Sequence, residues 1–203
     1  MPSVVVGYHG CDAQTVRKVL NGEPIWMSQH PWEWLGKGTY FWEDDEERAW
    51  RWANAQKERG KVDTPAVLQA EISLGKCLDL LKPSCRDQLR LAYRLLDAEC
   101  RTQGKAIPQN RKTILKKAED LPREEPETPD GDLLFRYLDC AVIEMLHRSR
   151  EEEKEPPYDT VRAAFQEGKP VYEGSCIRDK DHIQIAVRSK GCIFSIESIK
   201  SAA

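Results

Sequence analysis

"VVVGYHGCDAQTV", residues 4–16, is the stretch that decides the fold. Its first half is a β-branched, apolar run, which predicts a buried strand with His9 at its end. Asp12 is a good N-cap for the short helix predicted to follow, and Gly22 is a good end for that helix. A strand that passes directly into a helix predicts a mixed α and β domain whose first strand carries a polar side chain.

The remaining helices and strands are predicted from the spacing of their apolar residues. Alternation predicts strands, and a period near 3.6 residues predicts helices. In chain order these are a helix at 43–60, a strand at 66–75, helices at 84–104, 132–149 and 160–168, and strands from 169 onward, with clean alternation at 182–188. A polar, proline-rich stretch at 119–132 is predicted to be an exposed loop. We therefore expect one α+β domain over residues 1–203, with a helical insertion at 84–165.

Composition limits the class of protein. Of the 203 residues, 32% are charged and 40% are hydrophobic. The hydrophobic fraction is large enough for a packed core. The net charge of -3 provides no basic surface over the whole chain, and no apolar run approaches the roughly 20 residues of a membrane span. The 7 cysteines have no CxxC spacing, which favours neither a disulfide framework nor a zinc site. We expect a cytoplasmic protein without a membrane partner.

Three short motifs place polar side chains next to predicted strands. They are "YHG" at 8–10, "GKGTYF" at 36–41 and "HIQIAVR" at 182–188. The glycines of the second motif permit a tight backbone and the close approach of a ligand, and Tyr40 then lies on a strand. This motif has neither the spacing of a triphosphate-binding loop nor a GxGxxG pattern.

Together, the motifs resemble those of the NAD⁺-dependent ADP-ribosyltransferases of the diphtheria-toxin and poly(ADP-ribose) polymerase type. The family signature is a His-Tyr-acid triad on three separate strands. His9 matches the histidine, Tyr40 matches the tyrosine, and Gln184 stands where the family most often has glutamate. The resemblance covers residues 4–81 and 171–193, and it implies two small antiparallel sheets around an NAD⁺ cleft. The helical insertion at 84–165 is not covered by the resemblance.

The resemblance implies a role for each matched residue. His9 would bind the adenine-side ribose, and the backbone of Gly10 would bind the nicotinamide carboxamide. Tyr40 would stack on the nicotinamide ring, and Gln184 would bind the ribose next to the scissile bond. Nicotinamide would leave through an oxocarbenium-like state before an acceptor attacks. NAD⁺ is then a co-substrate, and no metal is expected.

Further residues are expected at the cofactor. They are Cys11, Gly38, His182 and either Trp50 or Trp52. Cys11 stands where the family usually has a hydroxyl that also bonds the carboxamide, and a thiol is a weaker donor. His182 shares its strand face with Gln184 by the period of two, although a surface position is an alternative. The resemblance implies a second aromatic residue against the nicotinamide, on the helix after the tyrosine strand. The matching position falls between Trp50 and Trp52, so either tryptophan could take this role.

The glutamine at position 184 leaves the mechanism open. An amide keeps a ribose contact but lacks the charge that would stabilise a developing cation or activate an acceptor. Either the acceptor is already a good nucleophile, another acid such as Glu71 or Glu173 helps, or the protein only binds. Arg188, on the same face, could meet a phosphate or be solvated.

We therefore expect a mono-ADP-ribosyltransferase, toxin-like or defence-related, because glutamine argues against chain elongation in this family. The acceptor is open among proteins, nucleic acids and small molecules. The insertion at 84–165 is a candidate partner surface, with a basic patch at 110–117. The alternatives are a catalytically silent NAD⁺- or ADP-ribose-binding module, an NAD⁺ glycohydrolase, and an RNA 2′-phosphotransferase, which shares the fold and the "HG" start.

Overall fold

The structure is a computed structural model that describes residues 3–112 and 132–199. Its seven strands form one mixed sheet in the order β4-β5-β6-β2-β1-β3-β7. The strands are β1 (Val4–Asp12), β2 (Thr39–Glu43), β3 (Pro65–Ser73), β4 (Cys77–Asp79), β5 (Thr160–Phe165), β6 (His182–Val187) and β7 (Ile193–Ile199). The helices are α1 (Ala13–Leu20), α2 (Glu46–Glu58), α3 (Pro83–Thr102) and α4 (Tyr137–Glu152). The α+β class is as expected.

The first helix begins where the sequence predicts its cap, and an aspartate also caps the second helix. The Asp12 carboxylate accepts a hydrogen bond from the Gln14 N–H at 2.8 Å, and α1 follows directly. Asp45 caps α2 in the same way by accepting from the Arg48 N–H at 2.8 Å. The sequence predicts this second helix from residue 43. In the structure Glu43 is the last residue of β2, so α2 begins three residues later, at Glu46.

One predicted helix is wrong, the strands expected from residue 169 begin only at His182, and other elements differ in extent. The short helix expected at 160–168 is instead strand β5, which pairs with β4 and β6 along its length. Val161 and Ala163 face the core in alternation with the ion-paired Arg162, so the segment follows a period of two. The helix expected at 132–149 is α4, which begins at Tyr137. The proline-rich loop, apart from its last residue, and part of the basic patch lie outside the described residues.

Helices cover the two faces of the sheet unequally. On one face, α2 packs on β1 and β3, while α3 and α4 pack on the half that contains β4, β5 and β6. On the other face, α1 packs over β3 in a core that includes Phe41, Leu68 and Ile185. On the face that carries α2, α3 and α4, Tyr40 and Ala186 belong to the core under α3 and α4, whereas Trp42 belongs to the core under α2.

The pairing within the sheet is uneven. β1 pairs with β3 from Val4 to Asp12, whereas its pairing with β2 covers only Gly7↔Glu43 and Tyr8↔Trp42. The expected arrangement was two small antiparallel sheets. Instead, hydrogen bonds join all seven strands, with β4 and β5 parallel, and the junction is narrowest between β1 and β2. No helix among the described residues is long and apolar enough to cross a membrane, and all seven cysteines carry free thiols.

Candidate active site

The three predicted catalytic residues lie on neighbouring strands. His9 is on β1, Tyr40 is on β2 and Gln184 is on β6, and these strands are adjacent in the order β6-β2-β1. Trp42 on β2 is opposite Gln184 on one side and opposite Tyr8 on the other. Paired residues project to the same face, and successive residues alternate. Tyr40 and Gln184 therefore share one face, whereas the His9 side chain projects from the other.

The ladder between β1 and β2 ends before Gly10. The Asp44 N–H donates to the Val6 carbonyl at 3.0 Å, and Tyr8 pairs with Trp42. In an antiparallel ladder, alternate residues direct their backbone groups to the same neighbour, so Gly10 directs its N–H and C=O toward β2. Within the described chain, the β1–β2 pairing does not extend to this residue. Both groups therefore face a gap in the sheet.

The His9 side chain spans this gap. A regular ladder would put Gly10 opposite Tyr40, but His9 Nδ1 lies 2.8 Å from the Tyr40 carbonyl oxygen. Because a carbonyl only accepts, Nδ1 carries the proton and Nε2 keeps a lone pair. Burial lowers the pKa of His9, and the hydrogen bond to Tyr40 opposes this effect only in part. The ring is neutral at pH 7 and can accept a hydrogen bond at Nε2.

Helix α2 packs closely against Gly10. A Cβ on this glycine would lie 2.4 Å from the Ala49 carbonyl oxygen and 3.2 Å from Cε3 of Trp52. Of the two tryptophans that the sequence left open, Trp52 is thus the one next to Gly10, whereas Trp50 donates its indole N–H to Glu46 at 3.0 Å. The approach of the helix is itself a reason for glycine at this position.

Cys11 and Gly38 have packing roles. Cys11 lies in the apolar core with Phe41, and burial raises the pKa of its thiol to about 12. A Cβ on Gly38 would lie 3.0 Å from Cβ of Ala186, and the backbone of Gly38 is paired with Ser28. Neighbouring protein atoms therefore account for both residues.

The hydroxyl of Tyr40 holds the glycine loop. It donates to the Gly36 carbonyl at 2.6 Å and accepts from the Leu35 N–H at 2.8 Å. Gly36 has a φ of 75°, which favours glycine. Burial raises the pKa of Tyr40 well above its ordinary value, so the hydroxyl stays protonated. These contacts fix the ring orientation relative to the loop.

Helix α4 clamps the same loop through Glu144. This carboxylate accepts from the Lys37 N–H at 2.8 Å and from the Arg188 guanidinium at 2.6 Å. Arg188 also donates to the Lys37 carbonyl at 2.8 Å. Burial would raise the pKa of Glu144, but the hydrogen bond and charge of Arg188 outweigh burial and lower it. Arg188, a sequence candidate for phosphate binding, is thus engaged in this clamp.

Gln184 lies between the two helical layers and has a half-buried side chain. Its Oε1 is buried and has no hydrogen-bond partner among the described residues. His182, on the same face, is buried between Trp34 and Phe165, with ring centroids 5.9 Å and 5.7 Å away. The surface alternative for His182 is therefore wrong.

The structure brings a carboxylate near His182 that the sequence did not indicate. Glu167 Oε2 lies 3.7 Å from His182 Nδ1 and 2.7 Å from the Arg48 guanidinium. The two sequence candidates for the missing acid are elsewhere: Glu71 is exposed on β3 and accepts from Ser195, and Glu173 is exposed in the loop before β6. Glu167 follows β5 in a loop with no motif, so no local signal could have identified it.

Two cavities lie beside this region. One is a groove of about 510 Å³ between α3 and α4, with Trp34 and Phe165 in its wall. The other, of about 250 Å³, lies near Thr39 and Val187. His9, Tyr40 and Gln184 line neither of them. The described residues include no group of three or more His, Cys, Asp or Glu side chains placed to hold a metal ion.

Comparisons with known proteins do not show a family or a function for this chain. No family model matches the chain, and no solved structure matches it. The chain is similar to the uncharacterized protein MJ0359 of Methanocaldococcus jannaschii, with 27% identity over 93 residues. The match covers 44% of this chain and 44% of that protein, so it spans less than half of its relative.

Proposed function

We propose that this protein is a mono-ADP-ribosyltransferase that cleaves NAD⁺ at the nicotinamide–ribose bond and transfers ADP-ribose to a macromolecular acceptor. The observation that carries the proposal is the gap between β1 and β2. There, Gly10 presents a backbone N–H and C=O, and His9 presents an unprotonated Nε2. A carboxamide needs an acceptor and a donor side by side, and a ribose hydroxyl can donate to an imidazole nitrogen.

The same gap supports a division of the sheet into two halves. One half would be β4-β5-β6-β2, and the other would be β1-β3-β7. NAD⁺ would lie across the division, with its nicotinamide end at Gly10 and a ribose at His9. At their base the halves are joined by the ladder pairs Gly7↔Glu43 and Tyr8↔Trp42 and by the hydrogen bond from the Asp44 N–H to the Val6 carbonyl.

Tyr40 and Gln184 suit the reacting end of NAD⁺. The Tyr40 ring is held by the hydrogen bonds of its hydroxyl, so it can present a fixed face to the nicotinamide. Such an offset aromatic contact contributes about 1 kcal/mol beyond burial. The unpartnered Oε1 of Gln184 can accept a hydrogen bond from the adjacent ribose. The C1′–N bond then breaks, and nicotinamide leaves with the electron pair.

The second candidate is a catalytically silent module that binds NAD⁺ or ADP-ribose. It is favoured by the neutral amide at Gln184, which lacks the negative charge that would stabilise a developing cation. Such a module would bind the dinucleotide without turnover. Hydrolysis, in contrast, would release free ADP-ribose.

The proposal is tested by incubating the protein with NAD⁺ labelled in the adenylate part, in cell lysate. Labelled products are separated into protein, RNA, DNA and small molecules, and nicotinamide release is measured in parallel. We expect labelled macromolecules with the wild type. We expect at least a 100-fold loss with Gln184→Ala and with Tyr40→Ala, because each removes a contact to the reacting end of NAD⁺.

Matched controls separate site effects from folding effects. Gln69→Ala and Tyr172→Ala change the same residue types away from the gap and should keep the wild-type rate. NAD⁺ binding by calorimetry without nicotinamide release would support the silent module instead. A wild type that neither binds nor consumes millimolar NAD⁺ would overturn both candidates.

A further inference from the structure

Buried polar atoms without a partner are concentrated around Gln184. Over residues 3–112 and 132–199, such side-chain atoms belong to His147 or to one of five other residues: Trp42, Arg48, Arg136, His182 and Gln184. Folded proteins leave few buried polar atoms unpaired, so each case demands an explanation. Several unpaired atoms in one region, beside a predicted catalytic residue, point to a ligand.

Four of these residues surround one place on the sheet. Trp42 is opposite Gln184 across the β2–β6 ladder, and His182 is two residues from Gln184 on the same face. The Arg48 guanidinium lies 5.6 Å from the centre of the Trp42 ring. Through its ion pair with Glu167, Arg48 is also linked to His182. Trp42 and His182 are only 6% and 7% exposed, and neither of the two cavities described above is lined by these residues. We refer to Trp42, Arg48, His182 and Gln184 together as the acceptor pocket.

The unpaired atoms define which chemical group would fit. Nε1 of Trp42 and Nε of Arg48 only donate. His182 Nδ1 lies 2.6 Å from the Lys180 carbonyl, so it carries the proton and leaves Nε2 as an acceptor. Gln184 Oε1 is an acceptor as well. With Gln184 Oε1 engaged by the ribose of NAD⁺, Nε2 of His182 is the acceptor that remains in this cluster. A hydroxyl, which donates and accepts, can pair with Nε2 and with the donors, whereas an anion would leave Nε2 unpaired.

We infer, on the basis of the proposed function, that the acceptor pocket receives the acceptor substrate, and that the attacking group is a hydroxyl whose proton passes to Nε2 of His182. The C1′–N bond to nicotinamide breaks, and nicotinamide leaves as a neutral molecule with the electron pair. The hydroxyl oxygen forms the new bond to C1′. His182 takes the hydroxyl proton and later releases it to solvent. A neutral Gln184 is compatible with transfer because a neighbouring residue acts as the base.

Access to His182 is restricted on one side. Trp34 and Phe165 cover its ring, and the Arg136 guanidinium stacks 3.9 Å from the centre of the Trp34 ring. An acceptor would therefore enter beside Gln184, whose side chain is half-buried. The covered side keeps bulk water away from the base.

The charges around His182 set its pH dependence. Burial lowers its pKa, and the nearby Arg48 guanidinium lowers it further. The hydrogen bond to Lys180 and the carboxylates of Glu167 and Asp45 act in the opposite direction without reversing the shift. The imidazole is therefore neutral at pH 7. Transfer should slow only as the pH falls below the ordinary histidine range near 6.5.

The experiment compares the wild type with His182→Gln from pH 5 to 8. Glycerol serves as the hydroxyl probe and agmatine as a guanidine probe, each with labelled NAD⁺. We expect the wild type to form the glycerol adduct. We expect His182→Gln to form it at least 100-fold more slowly at pH 7.5, to lose the acidic limb of the pH profile, and to keep its NAD⁺ Kd within twofold.

Two further variants make the result decisive. His147→Gln changes another buried histidine and should keep both the rate and the acidic limb. Trp42→Phe removes the indole N–H together with part of the ring and should raise KM for glycerol, which tests the pocket if His182→Gln does not fold. Equal turnover by wild type and His182→Gln, or a preference for agmatine, would overturn the inference and leave the proposed function intact. Absence of NAD⁺ binding by the wild type would instead refute the proposed function, and the inference with it.

Discussion

Gly10 is constrained by the sheet and by a helix at once. Its backbone faces the gap between β1 and β2, while its Cα lies against the carbonyl of Ala49 on α2. The residue type therefore serves packing whether or not a ligand occupies the gap. Stability and NAD⁺ binding can be measured separately, so the two roles can be distinguished.

Gly10→Ala should destabilise the fold by about 1–3 kcal/mol, because the added methyl group would overlap backbone that cannot move without α2. Urea unfolding measures this change. Gly191→Ala is the control: the nearest atom to its new Cβ is 4.0 Å away, on Ser189, and stability should change by less than about 0.5 kcal/mol. Equal stability of Gly10→Ala and the wild type would show that α2 is not held in this position.

His147 should make the protein sensitive to acid. Burial lowers its pKa to about 4, and the nearby Arg188 acts in the same direction. The unfolded chain takes up a proton near pH 6.5, but the folded chain does not, so stability falls as the pH drops from 6.5 toward 4. The contribution is on the order of 2–3 kcal/mol. Urea unfolding at pH 7 and 4.5 should show a smaller loss for His147→Gln than for the wild type. Parallel losses would contradict the assignment.

Single residues differ in how far the sequence could identify them. His9, Tyr40 and Gln184 belong to local motifs, and they do lie on neighbouring strands. Arg48 and Glu167 were missed because their ion pair joins residues 119 positions apart. No periodicity or spacing reports such a contact.

At the scale of elements, α4 and the glycine loop form one unit. Glu144 on the helix accepts hydrogen bonds from the backbone N–H of Lys37 in the loop and from the side chain of Arg188, which directly follows β6. The position of Tyr40 follows from this clamp, since its hydroxyl is bonded within the same loop. The helical block therefore supports the candidate site even though the family resemblance does not include it.

Glu144→Gln should lower the free energy of unfolding by about 1–3 kcal/mol, because it weakens a charge-assisted hydrogen bond to the mostly buried Arg188. The matched control is Glu99→Gln, which weakens the exposed pair with Arg148 and should cost less than about 1 kcal/mol. Thermal or urea unfolding gives both values. Equal effects would mean that the clamp is no stronger than a surface ion pair.

The segment that was predicted as a helix at 160–168 shows where the local pattern fails. In β5, Val161, Ala163 and Phe165 alternate with Arg162 and Ala164, but the run is short and rich in alanine, so helix and strand are hard to tell apart. Contacts with residues distant in the sequence determine that this segment is a strand. Arg162 meets Glu43 on β2 at 2.5 Å, and this contact requires the strand conformation to place the guanidinium. The longer helices α2, α3 and α4 carried enough turns to be recognised.

At the scale of the whole molecule, the sheet is continuous but unevenly joined. The amide of Gly10 points into the gap, whereas those of His9 and Cys11 point toward β3. Hydrogen exchange followed by NMR should therefore show the Gly10 amide exchanging at least tenfold faster than its two neighbours. Added NAD⁺ should slow Gly10 selectively. Equal protection of the three amides without NAD⁺ would mean that the gap is closed in solution.

The parallel alignment of β4 and β5 limits how this protein can be shortened. Adjacent strands that run in the same direction cannot be joined by a tight turn; the chain must travel back along the sheet through roughly a dozen residues or more. The segment that contains α3 and α4 provides this crossover. Replacing it with a hairpin-length loop would force β5 to run in the opposite direction and separate Arg162 from Asp79, so a minimal version of the domain must retain a long connection there.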